Sequence, residues 1–291
     1  MACRRVAGAL ALFAAFFLAM PSPAQVNLSW ISPFPPFRIA GNLYYVGSED
    51  LASYLIVTPQ GDILINSNLA SSPPLIRRSV EALGFHFKDI KILLISHAHY
   101  DHCAGSAEIK RVTGAKYEVM AADVSVVESG GRTDFQYATD KSMQFTPTHV
   151  DRILHDGDKI SLGGTVLTAH LTAGHTRGTT TWTLDEPEAG STLHVVIVGS
   201  PNVNPGYKLV HNQAYPQIAA DYRRGFKVLK SLPCDIFLGA HGGYFGLKEK
   251  YDRWKRGDRD IFIDSDGYKA YIADREQAFE AELTRQTSAR P

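Results

Sequence analysis

The chain has 291 residues, 44% of them hydrophobic, and its 30 lysines and arginines balance 30 aspartates and glutamates. That length is enough for one large core or two smaller ones. Zero net charge gives nucleic acid or an anionic membrane surface no electrostatic hold, so neither is expected as a partner.

The opening residues form a separate kind of sequence. Arg4 and Arg5 precede an apolar run from Val6 to Met20, and Pro21-Ser22-Pro23-Ala24 follows before Gln25. This is the layout of a secretory signal peptide, residues 1–24, with cleavage expected after Ala24. The apolar run is shorter than the ~20 residues of a membrane span. Residues 25–291 are therefore expected as one exported, periplasmic, monomeric domain that is not held at the membrane. Cys103 and Cys234 remain once Cys3 is removed. Two cysteines define no disulfide framework, and both are expected free.

Gln25 to Phe37, rich in proline and aromatics, reads as an irregular arm. Leu43–Val46, Tyr54–Val57 and Ile63–Ile65 read as short strands split by Gly47 and the Pro59-Gln60-Gly61 turn. Pro73 and Pro74 open a helix that Gly84 closes. The apolar run Ile90 to Ile95 is a buried strand, and Ala104 to Val112 a helix stopped by Gly114. Tyr117–Met120 is a strand and Ala121–Glu128 a short helix. Ser129 to His149 is loose and polar, and a loop of that length in a compact domain is usually functional. Strands then recur at 151–154, 159–162, 165–171, 179–184 and 193–198. An amphipathic helix at 215–232 carries Ile218, Tyr222, Phe226 and Leu229 on one face. A strand at 235–238, a segment at 245–255 and a helix from about Tyr268 complete two β-then-α halves.

Chemistry concentrates where these strands end. His97-Ala98-His99-Tyr100-Asp101-His102 sets three imidazoles and a carboxylate directly after the strand at Ile90–Ile95. Imidazole and carboxylate are the usual protein ligands of zinc. His175, in Ala173-Gly174-His175-Thr176-Arg177-Gly178, and His241, in Gly239-Ala240-His241-Gly242-Gly243, also follow strands and have glycine neighbours that admit close approach. Six candidate ligands exceed the four of one tetrahedral zinc, which suggests two metals. His97 and His99 can act as a pair, whereas Asp101 and His102 suit a second ion. Two zinc ions that activate a water are a hydrolase design, with no need of a serine or cysteine nucleophile.

H-x-H-x-D-H, then a glycine-flanked histidine, then a late histidine, resembles the metallo-β-lactamase superfamily over essentially the whole mature chain. The resemblance implies an αβ/βα four-layer sandwich with a dinuclear site along one edge. After the strand at Val195–Val198 comes Gly199-Ser200-Pro201-Asn202, where many relatives place a bridging aspartate and two β-lactamase subclasses a cysteine. The sequence is therefore similar to the third subclass of class B β-lactamases. Its stretches Leu94–His99, Ser129–Phe135, Gly174–Gly178 and Asn204–Leu209 look very like that subclass.

The resemblance implies that His97, His99 and His175 hold the first of two zinc ions, and that Asp101, His102 and His241 hold the second. Asp101 would also orient the attacking hydroxide. The implied substrates are small β-lactams: penicillins, cephalosporins and carbapenems. Asn204, with Ser200 and Asn202 behind it, is the candidate contact for their carboxylate, and Phe135, Gln136 and Tyr137 the candidate wall. Tyr268 stands where relatives pair a cysteine with the Cys234 position, so that bridge is not expected. Another exported hydrolase of this fold, such as a lactonase, is the alternative reading.

Overall fold

The computed structural model describes residues 27–188 and 190–289. The expected signal peptide and its cleavage point lie outside the described residues. In chain order, the elements of the first half are α1 (Leu28–Ile31), β1 (Phe37–Ala40), β2 (Leu43–Tyr45), β3 (Tyr54–Thr58), β4 (Gly61–Ile65), α2 (Pro73–Ala82), β5 (Ile90–Leu94), α3 (Tyr100–Cys103), α4 (Ser106–Thr113), β6 (Lys116–Met120), α5 (Val124–Ser129) and β7 (Arg152–Leu154). The second half comprises β8 (Lys159–Leu162), β9 (Thr165–Leu171), β10 (Thr180–Glu188), β11 (Ser191–Val198), α6 (Ile218–Ser231), β12 (Ile236–Gly239), α7 (Leu247–Lys255) and α8 (Ser265–Ser288).

β1 to β7 form one sheet in sequence order, and the second runs β12-β11-β10-β9-β8. In the first sheet the hairpins through β4 are antiparallel, and β4 to β7 run parallel. Strand alternation builds the layers, because successive side chains point to opposite faces. Tyr54, Ile56, Ile63, Ile65, Ile92 and Leu94 face the second sheet. Their neighbours Leu55, Leu64 and Leu93 face α2, α4 and α5, meeting Ile76, Val80, Ile109 and Val126. On the far side of the second sheet, Tyr222 and Phe226 of α6 pack on Phe279 of α8. The result is the four-layer α/β sandwich expected from the sequence.

Three local readings change. The arm is not wholly irregular: Leu28–Ile31 makes a helical turn and Phe37–Ala40 an edge strand, whose register against β2 shifts between Arg38 and Ala40. The proline-rich approach at Pro33, Pro35 and Pro36 hides that strand from pattern reading. The helix expected at Ala104 to Val112 starts later, at Ser106, and runs to Thr113, with a separate helical turn, Tyr100–Cys103, just before it. They break at Gly105, where a Cβ would lie 2.5 Å from the Ser67 carbonyl oxygen. β10 and β11 also run on past the predicted ends as one hairpin, from Thr180 to Val198.

Cys103 and Cys234 are both free, and Cys234 shares a surface cleft with Tyr268. No helix among the described residues is long and apolar enough to cross a membrane.

Candidate metal centre

Three strand ends meet at one edge of the sandwich. The segment after β5 is fixed first: Asn66, held at φ 68°, accepts from the Ser96 amide at 2.7 Å and donates to the Ser96 hydroxyl at 2.9 Å. His97 to His102 follow, with His99 in extended backbone capping α3 and Asp101 and His102 in its single turn. The loop after β9 brings His175. Gly174 before it has φ 141°, and a Cβ there would lie 2.6 Å from the Tyr222 ring, so only glycine fits. The end of β12 brings His241.

These six side chains form two triads. One ligand atom each from His97, His99 and His175 lie within 4.8 Å of one another, with His99 Nδ1 3.1 Å from His175 Nε2. In the second triad, His102 Nε2 is 3.2 Å from His241 Nε2 and 3.3 Å from an Asp101 oxygen, which lies 3.6 Å from His241 Nε2. Ligands about 2.0–2.1 Å from a tetrahedral zinc stand roughly 3.3–3.4 Å apart, so these separations fit the edges of zinc polyhedra.

Hydrogen bonding points the same way. His175 Nδ1 meets the Asn202 carbonyl at 2.8 Å and His241 Nδ1 meets Asp50 at 2.9 Å. A ring that donates from Nδ1 leaves the lone pair of Nε2 facing inward. Both nitrogens of His97 are buried without a protein partner, a costly state that metal ligation relieves at the inward nitrogen. The residues present therefore fit two divalent cations.

Electrostatics keep the first-triad histidines and Asp101 in binding form. Burial lowers the pKa of His97 well below the usual imidazole value, that of His99 to about 4 and that of His175 to about 3, so each is neutral at pH 7. Burial opposes charge on Asp101, but His102 and His241 outweigh it and hold the carboxyl well below its ordinary range. For His241, by contrast, burial is outweighed by the raising effects of Tyr244, Asp101 and Asp50, which hold the pKa well above the usual imidazole value. That ring must therefore release a proton to bind a metal.

The cavity over the triads has a volume of about 380 Å³. Its walls include Trp30, Tyr100, Tyr137, Met143 and Phe145, with Asp50, Asp134, Asn202 and Asn204 as polar groups. Asn204 donates to the Tyr137 hydroxyl at 3.1 Å. Asn202 also lines the cavity, but its amide donates to the Tyr244 hydroxyl at 2.7 Å and its oxygen accepts from Arg275 at 3.3 Å. Ser200 is buried beneath the wall, its hydroxyl 3.2 Å from that of Tyr244. In the long loop, Tyr137 lines the cavity, whereas Phe135 packs against Tyr207 and Tyr215, and Gln136 donates to the Gly206 carbonyl at 3.5 Å. His86, His149, His155, His170, His194 and His211 are absent from the cavity wall.

Sequence reasoning missed the groups that brace the triads. Asp50 accepts a hydrogen bond from His241 Nδ1 and also accepts from the Trp30 indole at 3.1 Å and the Gly243 amide at 3.0 Å. Trp30 sits 5.9 Å from the His241 ring. Neither residue lies in a motif, and no local pattern marks them.

The family model for the metallo-beta-lactamase superfamily matches residues 51–241. The native FEZ-1 metallo-beta-lactamase of Legionella gormanii is 58% identical, with a TM-score of 0.88, over 89% of this chain and 98% of that one. The class B3 di-zinc metallo-beta-lactamase LRA-12 from an Alaskan soil metagenome is 38% identical, with a TM-score of 0.84, over 89% and 98%. A metal-dependent hydrolase of Pyrococcus abyssi is 29% identical over 91 residues, 31% of this chain. The chain spans about a third of the length of such curated relatives, 36% in that case. With fold, ligand triads and these likenesses in agreement, the chain belongs to the metallo-β-lactamase superfamily and groups with its class B3 members.

Proposed function

We propose that this protein hydrolyses the ring amide of β-lactam antibiotics with two zinc ions, and so confers resistance. The observation that carries the reading is the second triad. Asp101, His102 and His241 converge at 3.2–3.6 Å, while Gly199 and Ser200 follow the end of β11, with no carboxylate or thiol to contribute. Zinc bound at such sites supplies Lewis acidity and lowers the pKa of water from 15.7 to about 7.

The chain's own groups supply the rest. His97, His99 and His175 would hold the first zinc, and the ionised Asp101 would accept a hydrogen bond from the attacking water and so aim it. Trp30, Tyr100, Tyr137, Met143 and Phe145 exclude bulk water from one side of the substrate, which strengthens every electrostatic contact inside. The amide of Asn204 faces the cavity beside the Tyr137 hydroxyl, and the two form a donor patch suited to the substrate carboxylate. The six ligand assignments, export to the periplasm after loss of residues 1–24, and a monomeric state belong to the same reading.

Purified protein should hydrolyse nitrocefin and a carbapenem, lose that activity to a chelator and regain it with zinc. Turnover of lactones with none of β-lactams would favour a lactonase and overturn this reading.

A further inference from the structure

The first triad draws its ligands from two different sheets: His97 and His99 follow β5 of the first, and His175 follows β9 of the second. Something must fix one sheet edge against the other to well under an ångström, because ligand geometry tolerates only about ±0.2 Å. Two ties lie nearby, just before His97 on one sheet and after His175 on the other, from the Thr180 amide to the Ser96 carbonyl at 2.8 Å and from the Trp182 indole to the Ile95 carbonyl at 3.2 Å. Neither reaches the ligand-bearing loops themselves.

Asp123 does. It ends the single 3₁₀ turn after β6 and is 1% exposed. One of its oxygens accepts from the Ala98 amide at 2.9 Å and from the Thr176 hydroxyl at 2.8 Å. The other accepts from the Gly178 amide at 2.8 Å. Ala98 lies between His97 and His99, and Thr176 follows His175. A Cβ on Gly178 would come within 2.6 Å of the carboxyl carbon, so the glycine is what lets the second loop close on Asp123. The carboxylate touches no ligand side chain, yet it holds the backbone on both sides of the triad.

We propose that Asp123 is the positioning residue of the first metal triad, a buried carboxylate that locks the His97–His99 loop to the His175 loop across the two sheets. The inference rests on the metal reading given above. Asn has nearly the same shape, but its amide nitrogen cannot accept, so Asp123→Asn breaks one or more of the three bonds without changing volume. Thr176→Val removes a single donor and leaves the carboxylate in place.

The test is zinc affinity by competition with a chromophoric chelator, made in a His241→Ala background so that the first triad stands alone, together with the melting temperature with and without zinc. Asp123→Asn should weaken zinc binding by about 10-fold or more and shrink the rise in melting temperature that zinc produces; Thr176→Val should shift both the same way by about 3-fold. A lower metal-free melting temperature with zinc affinity within twofold of the parent would assign Asp123 to the fold alone and overturn the proposal. Should Asp123→Asn fail to fold, Thr176→Val decides by the same criterion. A parent chain that takes up no zinc at either triad overturns the metal reading, and this proposal with it.

Discussion

The Asp50 carboxylate and the His241 imidazole meet at 2.9 Å although 191 residues separate them. The contact fixes the tautomer of His241 and points Nε2 at Asp101 and His102, while the indole of Trp30 and the Gly243 amide hold Asp50 in turn. Asp50→Ala should therefore loosen the second metal about 10- to 100-fold, the range typical of groups that orient a metal-bound histidine. Trp30→Phe keeps a ring in the wall and removes only the indole donor, so its effect should be within about 3-fold, near the worth of one hydrogen bond. Zinc retained per chain after dialysis against graded chelator separates the two. Equal retention in Asp50→Ala and the parent would show that His241 needs no brace.

The ligands themselves give the sharper contrast. His241→Ala removes one corner of the second triad, so bound zinc should fall from about two ions per chain to about one. β-Lactam turnover should drop by at least about 100-fold, since charge developing on the leaving nitrogen loses its partner. His97→Ala should disrupt the first triad instead. Elemental analysis alongside nitrocefin kinetics checks both, and full activity with one zinc in His241→Ala would refute a role for the second triad.

The candidate ligands were legible because their signals are local. Three imidazoles and a carboxylate in six residues, and two histidines beside glycines at strand ends, need no knowledge of tertiary structure. Asp50, Trp30 and Asp123 work only through distant partners, so no spacing rule marks them, and Trp30 falls in an arm whose prolines obscure its short helix and strand. Alternation in the apolar runs located β3, β4, β5 and β9 well. It could not foresee the break at Gly105, where the Ser67 carbonyl of another loop leaves no room for a Cβ. For Asn202 the sequence suggested a substrate contact, but the fold also engages both side-chain polar atoms and lends its carbonyl to His175 and Tyr222.

Asn204 and Ser200 should behave differently under truncation. Asn204 lines the cavity with its amide on the Tyr137 hydroxyl, so Asn204→Ala should raise KM for a cephalosporin by about 3- to 10-fold with little change in kcat, as loss of uniform binding does. Ser200 is 2% exposed and spends its hydroxyl on Tyr244. Ser200→Ala should leave KM unchanged and cost stability of about 1 kcal/mol. Steady-state kinetics on the two variants decides; a larger KM effect from Ser200→Ala would reverse the assignment.

Far from the metal centre, Glu186 makes stability depend on pH. The side chain is 1% exposed, one oxygen accepts from the Asn42 amide at 3.2 Å, and the other has no partner. Burial pushes its pKa up to about 7, against the lowering effect of the Asn42 amide and Arg38. The folded chain therefore binds this proton more tightly than the unfolded chain, whose glutamate titrates near 4.3. Stability from this group is fully present below about pH 4 and is lost as pH rises through about 7. Glu186→Gln keeps an acceptor for Asn42 and cannot ionise, so it should be more stable than the parent at pH 8 by on the order of 2 kcal/mol. That is less than the whole shift, because Glu186 and Asp185 line a cleft open to solvent. At pH 4 the advantage should vanish. Denaturant midpoints at the two pH values provide the check, and a stability difference that stays the same at both would rule out a titrating Glu186 as its source.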